Sequence, residues 1–194
     1  MGIAATPRLV IVIALAITAA GCAVQQPTAI TARQIAVLPP CDADGRPLPP
    51  VGDAGGESLA KVLTVAAGAA LASNGFAVMD PDVVGRALHG GVPASAADAA
   101  ALAQAGGIDA ATLFIRLDQW VPVPESTMRI DAVLVGLDLT LLDPASGATL
   151  WHAHRTIKPV RVFGSLIIGQ AYVVAAESVM KEMLAPLRPS TRAQ

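Results

Sequence analysis

Two histidines one residue apart, His152 and His154, are the side chains in this sequence best suited to hold a metal. They fall in a stretch that reads as a β-strand, where alternate side chains share a face, so both imidazoles are expected on one side of a sheet. Such a pair binds a divalent cation when a third donor joins, and His89 or Asp143 could be imagined in that role. No spacing in the chain brings either of them close. His152 and His154 therefore stand only as weak metal candidates, and no metal is assigned. Asp138 interrupts an apolar run, and a carboxylate buried there without a partner would be costly. It is expected to pair with Arg116 or Arg155, or to sit at an exposed point. Ser58, Ser95 and Ser165 lack the G-x-S-x-G context of a hydrolase nucleophile. No P-loop or dinucleotide fingerprint occurs. With no catalytic constellation and no cofactor motif, the chain reads as non-enzymatic.

Cys22 offers a different chemistry. Arg8 and the amino terminus form a positive region, and Leu9 to Ile17 is a charge-free apolar run too short for a stable span of ~20 residues. Ala19-Ala20-Gly21 then leads into Cys22, small side chains that let a peptidase approach the backbone. This junction resembles the bacterial lipobox, with Ala19 where Leu is usual. The resemblance implies a signal peptide over 1–21, cleavage before Cys22, and a lipid on its thiol that anchors the protein to a membrane. Each buried methylene is worth ~0.8 kcal/mol, so several acyl chains make the attachment effectively permanent. Ala23, not Asp, follows the cysteine, which by the enterobacterial sorting preference implies the periplasmic face of the outer membrane. Residues 22–33 read as the lipidated terminus and tether. Lipidation of Cys22 leaves Cys41 as an odd thiol in an oxidising compartment, either buried and inert or available for a disulfide.

These groups need a scaffold, and the composition says what kind. The chain has 194 residues, enough for one domain, read here as 34–187 with a tail over 188–194. Aromatics are only 3% of residues, so the core must be built from Val, Leu, Ile and Ala. Thirteen basic and fifteen acidic residues are scattered without a Lys/Arg cluster, which argues against nucleic-acid binding. The run Gln34–Leu38, closed by Pro39-Pro40, suits a buried strand. Asp42 to Gly56 reads as a loop, and a helix follows from Glu57 to Asn74-Gly75. Phe76–Met79 is a short strand. Asp80-Pro81 starts a helix to about Leu88, and Ser95 with Asp98 caps another over Ala96–Ala105. Three extended segments, Ala111–Val121, Ile130–Asp143 and Ala148–Ile157, are joined by turn chemistry at Pro122-Val123-Pro124 and at Asp143–Gly147. The middle one is apolar on both faces and is expected to be covered on both. A last amphipathic helix spans Ser165 to Leu184. This order predicts a single α/β (α+β mixed) domain, a mixed sheet with helices packed on it. Trp120, Trp151 and Tyr172 are its anchoring aromatics. If Trp120, Pro122 and Pro124 lie exposed at a hairpin tip, they form a contact patch for a partner or a membrane.

The ordered set Ile35–Pro40, Leu71–Val78, Gly107–Ala110, Gln119-Trp120 and Leu142–Trp151 resembles a family of small bacterial lipoproteins that includes a meningococcal lipoprotein antigen. More distantly it is similar to the curli-secretion channel lipoprotein and the N-terminal domain of TolB. The resemblance implies a TolB N-terminal-like fold and an accessory role in assembling an envelope transport or secretion complex, with an unnamed envelope protein as partner. It also allows a homo-oligomeric channel component. Lipoprotein activators of peptidoglycan synthesis use a similar domain, but their long tether is missing here. The matching glycines are structural in type, so the resemblance implies fold and location more than chemistry.

Overall fold

The computed structural model describes residues 28–49, 58–126, 129–162 and 168–190. The expected signal peptide, Cys22, Ser165 and the last four residues lie outside them. The chain runs β1 (Thr28–Ile30), β2 (Gln34–Val37), β3 (Cys41–Asp42), α1 (Leu59–Ser73), β4 (Ala77–Val78), α2 (Pro81–Ala87), α3 (Ala96–Ala105), β5 (Ala111–Ser126), β6 (Arg129–Leu142), β7 (Thr149–Arg161), α4 (Ile168–Leu184) and β8 (Leu187–Pro189). The local chemistry behaves as its residues dictate. Ser58, Asp80 and Ser95 cap α1, α2 and α3 with their side-chain oxygens, satisfying amides that the first helical turn leaves free. Gly75 takes a positive φ of 95° and turns the chain out of α1 toward β4. The carboxylate of Asp98 reaches back to the amide of Ala94 rather than to that of Ser95.

The main sheet has the order β4-β2-β5-β6-β7, with β3 also lying along β5. The β2, β3 and β4 pairings are parallel, whereas β5–β6–β7 is an antiparallel meander. This is the mixed sheet with packed helices that the element order predicts. One face is covered by α1 and α4, which lie side by side. Leu63 and Leu71 of α1, Leu113 and Ile115 of β5, and Leu137, Leu139 and Leu141 of β6 meet there with no exposed surface. The opposite face carries a smaller core in which α2 and α3 cover Leu38, Phe114 and Leu142 through Val84, Leu88, Ala99 and Ala103. That second cover reaches only one end of the long strands. Beyond it the open face of the ladder turns polar, so β6 is not sheltered on both sides along its whole length. The apolar residues that suggested full cover include Gly136, which is buried by a neighbouring strand rather than by a helix.

The strands also run further than their turn residues suggested. Pro122 and Pro124 do not make a turn; β5 continues through both to Ser126. Past Asp118, β5 has no outer neighbour among the described residues, and a proline there forfeits no ladder hydrogen bond to them. Pro159 is accommodated in β7 for the same reason, since β7 is the edge of the sheet. Two bulges interrupt the meander at one level. On β5, Asp118 is the extra residue between the pairs Leu117↔Leu137 and Gln119↔Gly136. On β7, Thr156 and Ile157 both fall between Arg155↔Leu137 and Lys158↔Val135. Bulges raise local twist, and two facing one position of the central strand crowd it. That position is Gly136, where an added Cβ would lie 2.7 Å from Cγ1 of Ile157.

A separate parallel pair, β1 with β8, ties the start of the domain to its end. Ile30 and Leu187 are buried in the main core, so residues 28–30, read from sequence as tether, belong to the folded unit. Asn74 reinforces this corner by donating from Nδ2 to the carbonyl of Leu184 at 2.8 Å.

Candidate functional site

The register of the meander sets Arg116 of β5, Asp138 of β6 and His154 of β7 side by side. All three point to the open face. Arg116 Nη2 donates to Asp138 Oδ2 at 2.5 Å. The other carboxylate oxygen, Oδ1, faces two imidazoles: Nδ1 of His154 at 2.8 Å and Nε2 of His152 at 3.3 Å. Asp118, carried onto this face at the β5 bulge, comes within 3.7 Å of Arg116 Nε. The Asp138 side chain is only 14% exposed, whereas the histidines are about half exposed at 52% and 48%. Burial alone would lift the Asp138 carboxyl. The hydrogen bonds from His154 and Arg116, with the Arg116 charge, outweigh it and hold the group below the ordinary carboxylate range.

Parity decides between the two expected partners of Asp138. Arg155 pairs with Leu137 across the ladder and so projects to the helix-covered face. There its Nη1 donates to both oxygens of Glu182 on α4, each at 2.8 Å. Arg116 alone shares the face of Asp138. The two histidines share a face, and each meets Asp138, an acid that is neither of those imagined. Asp143 is engaged in the β6–β7 turn, where Oδ1 accepts from the amides of Ala145 and Ser146 and from the Ser146 hydroxyl. The Ser146 and Ala145 hydrogen bonds hold its carboxyl below the usual range. His89 sits past the end of α2 with a positive φ of 50°. Asp118 is the functional-type residue that sequence reasoning missed. Its placement depends on a bulge, and a glycine inside an apolar strand, Gly136, was the available signal for one. The donor atoms of Asp118, Asp138 and His154 all lie within 4.8 Å of one another.

The other expected contact residues sit on the opposite face. Trp120 is half-buried against the main core and meets Tyr172 of α4 edge to face, with ring centroids 5.8 Å apart. Pro122 and Pro124 pair with Val133 and Ile130 further out along the same ladder. Burial pushes the Tyr172 phenol up from its ordinary value. A groove of about 350 Å³ follows the free edge of β7, lined by Ala153, His154, Arg155, Lys158, Glu182 and Met183. Cys41 is fully buried in the smaller core; burial first, then the Asp42 charge, raises its thiol. A protonated thiol without solvent access is a poor nucleophile.

With this geometry in hand, comparison with known proteins places the fold. The PelC dodecamer from Paraburkholderia phytofirmans aligns with 85% of this chain and 95% of its own, with a TM-score of 0.52 and 16% identity. Lipoprotein GNA1162 from Neisseria meningitidis aligns with 68% of this chain and 82% of its own, at a TM-score of 0.44 and 22% identity. The LpoB C-terminal domain from Salmonella enterica covers 69% of this chain and 86% of its own, at a TM-score of 0.41 and 15% identity. No protein-family model and no curated protein sequence matches the chain. The chain shares the overall fold of the PelC subunit; the other two are partial overlaps. At such identities the shared property is the fold, since function resides in sites that folds merely carry.

Proposed function

We propose that this protein is a non-enzymatic envelope lipoprotein, anchored through Cys22 to the periplasmic face of the outer membrane, that works by assembling into a homo-oligomer. The observation that carries the reading is the fold shared with PelC over 95% of that subunit, the structure of which is a dodecamer. The lipobox-like junction before Cys22 supports the location. Fully extended, the six residues from Cys22 to Thr28 reach at most ~20 Å, so β1 tethers the domain close to the bilayer. That reach favours a component acting at the membrane over a synthase activator that must cross the periplasm. A closed ring needs two different complementary surfaces on each copy. The edge of the sheet at β7 and its groove are a candidate for one of them.

The test is made on the full chain expressed with its own amino terminus. Metabolic labelling with a palmitate analogue is expected to mark the wild-type protein and not Cys22→Ser. Chemical cross-linking in the native membrane, followed by mass measurement in mild detergent, is expected to give multimers of the chain. A labelled protein that stays monomeric would overturn the oligomer while leaving the anchor. Recovery of a peptidoglycan synthase in place of self-crosslinks would replace the assembly role with activation of cell-wall synthesis.

A further inference from the structure

We infer that the open face of the meander is a binding site for a divalent transition-metal cation of the zinc type, held by Asp118, Asp138 and His154, whose donor atoms all lie within 4.8 Å of one another, with His152 beside Asp138. The two imidazoles belong to one strand and the carboxylate to the next, so the backbone ladder itself sets the donor positions. Both imidazoles address the same oxygen, at 3.3 Å and 2.8 Å. With metal–donor bonds of about 2.0–2.2 Å, two ligands on one tetrahedral zinc stand roughly 3.3 Å apart. His152 and Asp138 already have that separation. His154 needs to open by only about half an ångström, which a half-exposed ring on an edge strand can do.

Arg116 bears on the site in two ways. Its charge opposes a cation, but the carboxylates of Asp118 and Asp138 outnumber it and leave the cluster net negative. Its guanidinium also holds Oδ2 of Asp138 and so turns Oδ1 toward the histidines. An arrangement in which an outer group fixes a ligating carboxylate raises both order and affinity. His152, with its Nε2 3.3 Å from Asp138 Oδ1, stands where a fourth ligand would come from. Two carboxylates with one or two imidazoles form a donor set for zinc and its neighbours in the first transition row, rather than for calcium or magnesium, which take oxygen alone. Bound there, the cation would cross-link β5, β6 and β7 on the open part of the face, beyond the end that α2 and α3 cover.

The chain contains three histidines, which makes the test clean. Zinc chloride is titrated into the untagged full chain in detergent and followed by calorimetry, with cobalt(II) absorption as a second, geometry-sensitive probe. One equivalent of zinc is expected, with a rise in thermal midpoint. His154→Ala should weaken binding by at least ~10-fold, His152→Ala by less, and His89→Ala should leave it unchanged. Both ring positions are half exposed, so the variants are expected to fold and unfold cooperatively in the absence of metal, which is measured alongside. Equal binding by wild type and the His152/His154 double variant would overturn the inference. So would a site that depends on His89, or no heat and no cobalt spectrum up to about 1 mM metal.

Discussion

Gly136 carries the sharpest stability prediction, because the two bulges of the meander meet at it. An alanine there would place its Cβ 2.7 Å from Cγ1 of Ile157, and 3.4 Å from that residue's Cα and amide nitrogen. The first distance is far inside van der Waals contact; the other two are tolerable. Overpacking of this kind costs about 1–3 kcal/mol. Against it stands the gain of about 0.4–1 kcal/mol from a less flexible unfolded chain, available because Gly136 does not sit at a positive φ. Gly136→Ala is therefore expected to destabilise the domain by about 1–2 kcal/mol. In a chain of this size that lowers the thermal midpoint by roughly 2–8 °C. Removing the obstacle should reverse the sign. In an Ile157→Ala background, where Cγ1 is gone, Gly136→Ala should be neutral or stabilising by up to ~1 kcal/mol. Urea unfolding followed by far-ultraviolet circular dichroism on the four proteins of the cycle gives the coupling directly. If Gly136→Ala costs the same in both backgrounds, the bulge on β7 does not explain the glycine.

Three further outcomes are expected. Asp138 has a folded pKa below its unfolded value, so it contributes stability above the unfolded value of ~3.9 that is lost as pH falls through the lower folded one. The urea midpoint of wild type should accordingly fall more steeply below about pH 4 than that of Asp138→Asn, and parallel slopes would contradict the pairing with Arg116 and His154. Trp120 and Tyr172 should show a coupling of about 0.5–1.5 kcal/mol in a Trp120→Leu, Tyr172→Leu cycle measured by denaturant unfolding, since the edge-to-face contact docks α4 on the ladder. Cys41 should react with a disulfide-exchange reagent only as fast as the domain opens; immediate labelling of the native protein at neutral pH would show that the thiol is not shut in the smaller core.

The local signals were legible because each is a short-range effect. Ser58, Asp80-Pro81 and Ser95 start helices where their side chains can reach amides of the first turn, and Gly75 ends one where a positive φ is needed. The alternation Val133, Val135, Leu137, Leu139, Leu141 likewise named the buried face of β6. What escaped depends on neighbours distant in sequence. Pro122 and Pro124 read as a turn until it is known that β5 has lost its outer neighbours at that level. Thr28–Ile30 reads as tether until Leu187–Pro189 arrives from the other end of the chain to pair with it. The site was half legible for the same reason. Two histidines in a strand had to share a face, but the choice of Arg116 over Arg155, and the arrival of Asp118, follow from register and bulges that no single segment encodes.

The bulged level of the ladder also explains how one sheet serves two purposes. Before it, the odd-numbered residues of β5 feed the core under α1 and α4; after it, Trp120 takes over that face because Asp118 has been inserted. On β7 the extra residue works the same way, returning Val160 to the core after His152 and His154 have pointed outward. A strictly regular strand could not present His152 and His154 on one face and then bury Val160 on the other, since residues an even number apart would share a side. The bulges thus let the meander keep an apolar face for α4 along its length while placing two acids, an arginine and two histidines together on its open side. Gly136, with no side chain to press on Ile157, leaves room for the β7 bulge, so loss of the packing at this level should disturb the register that turns His154 outward and Val160 inward.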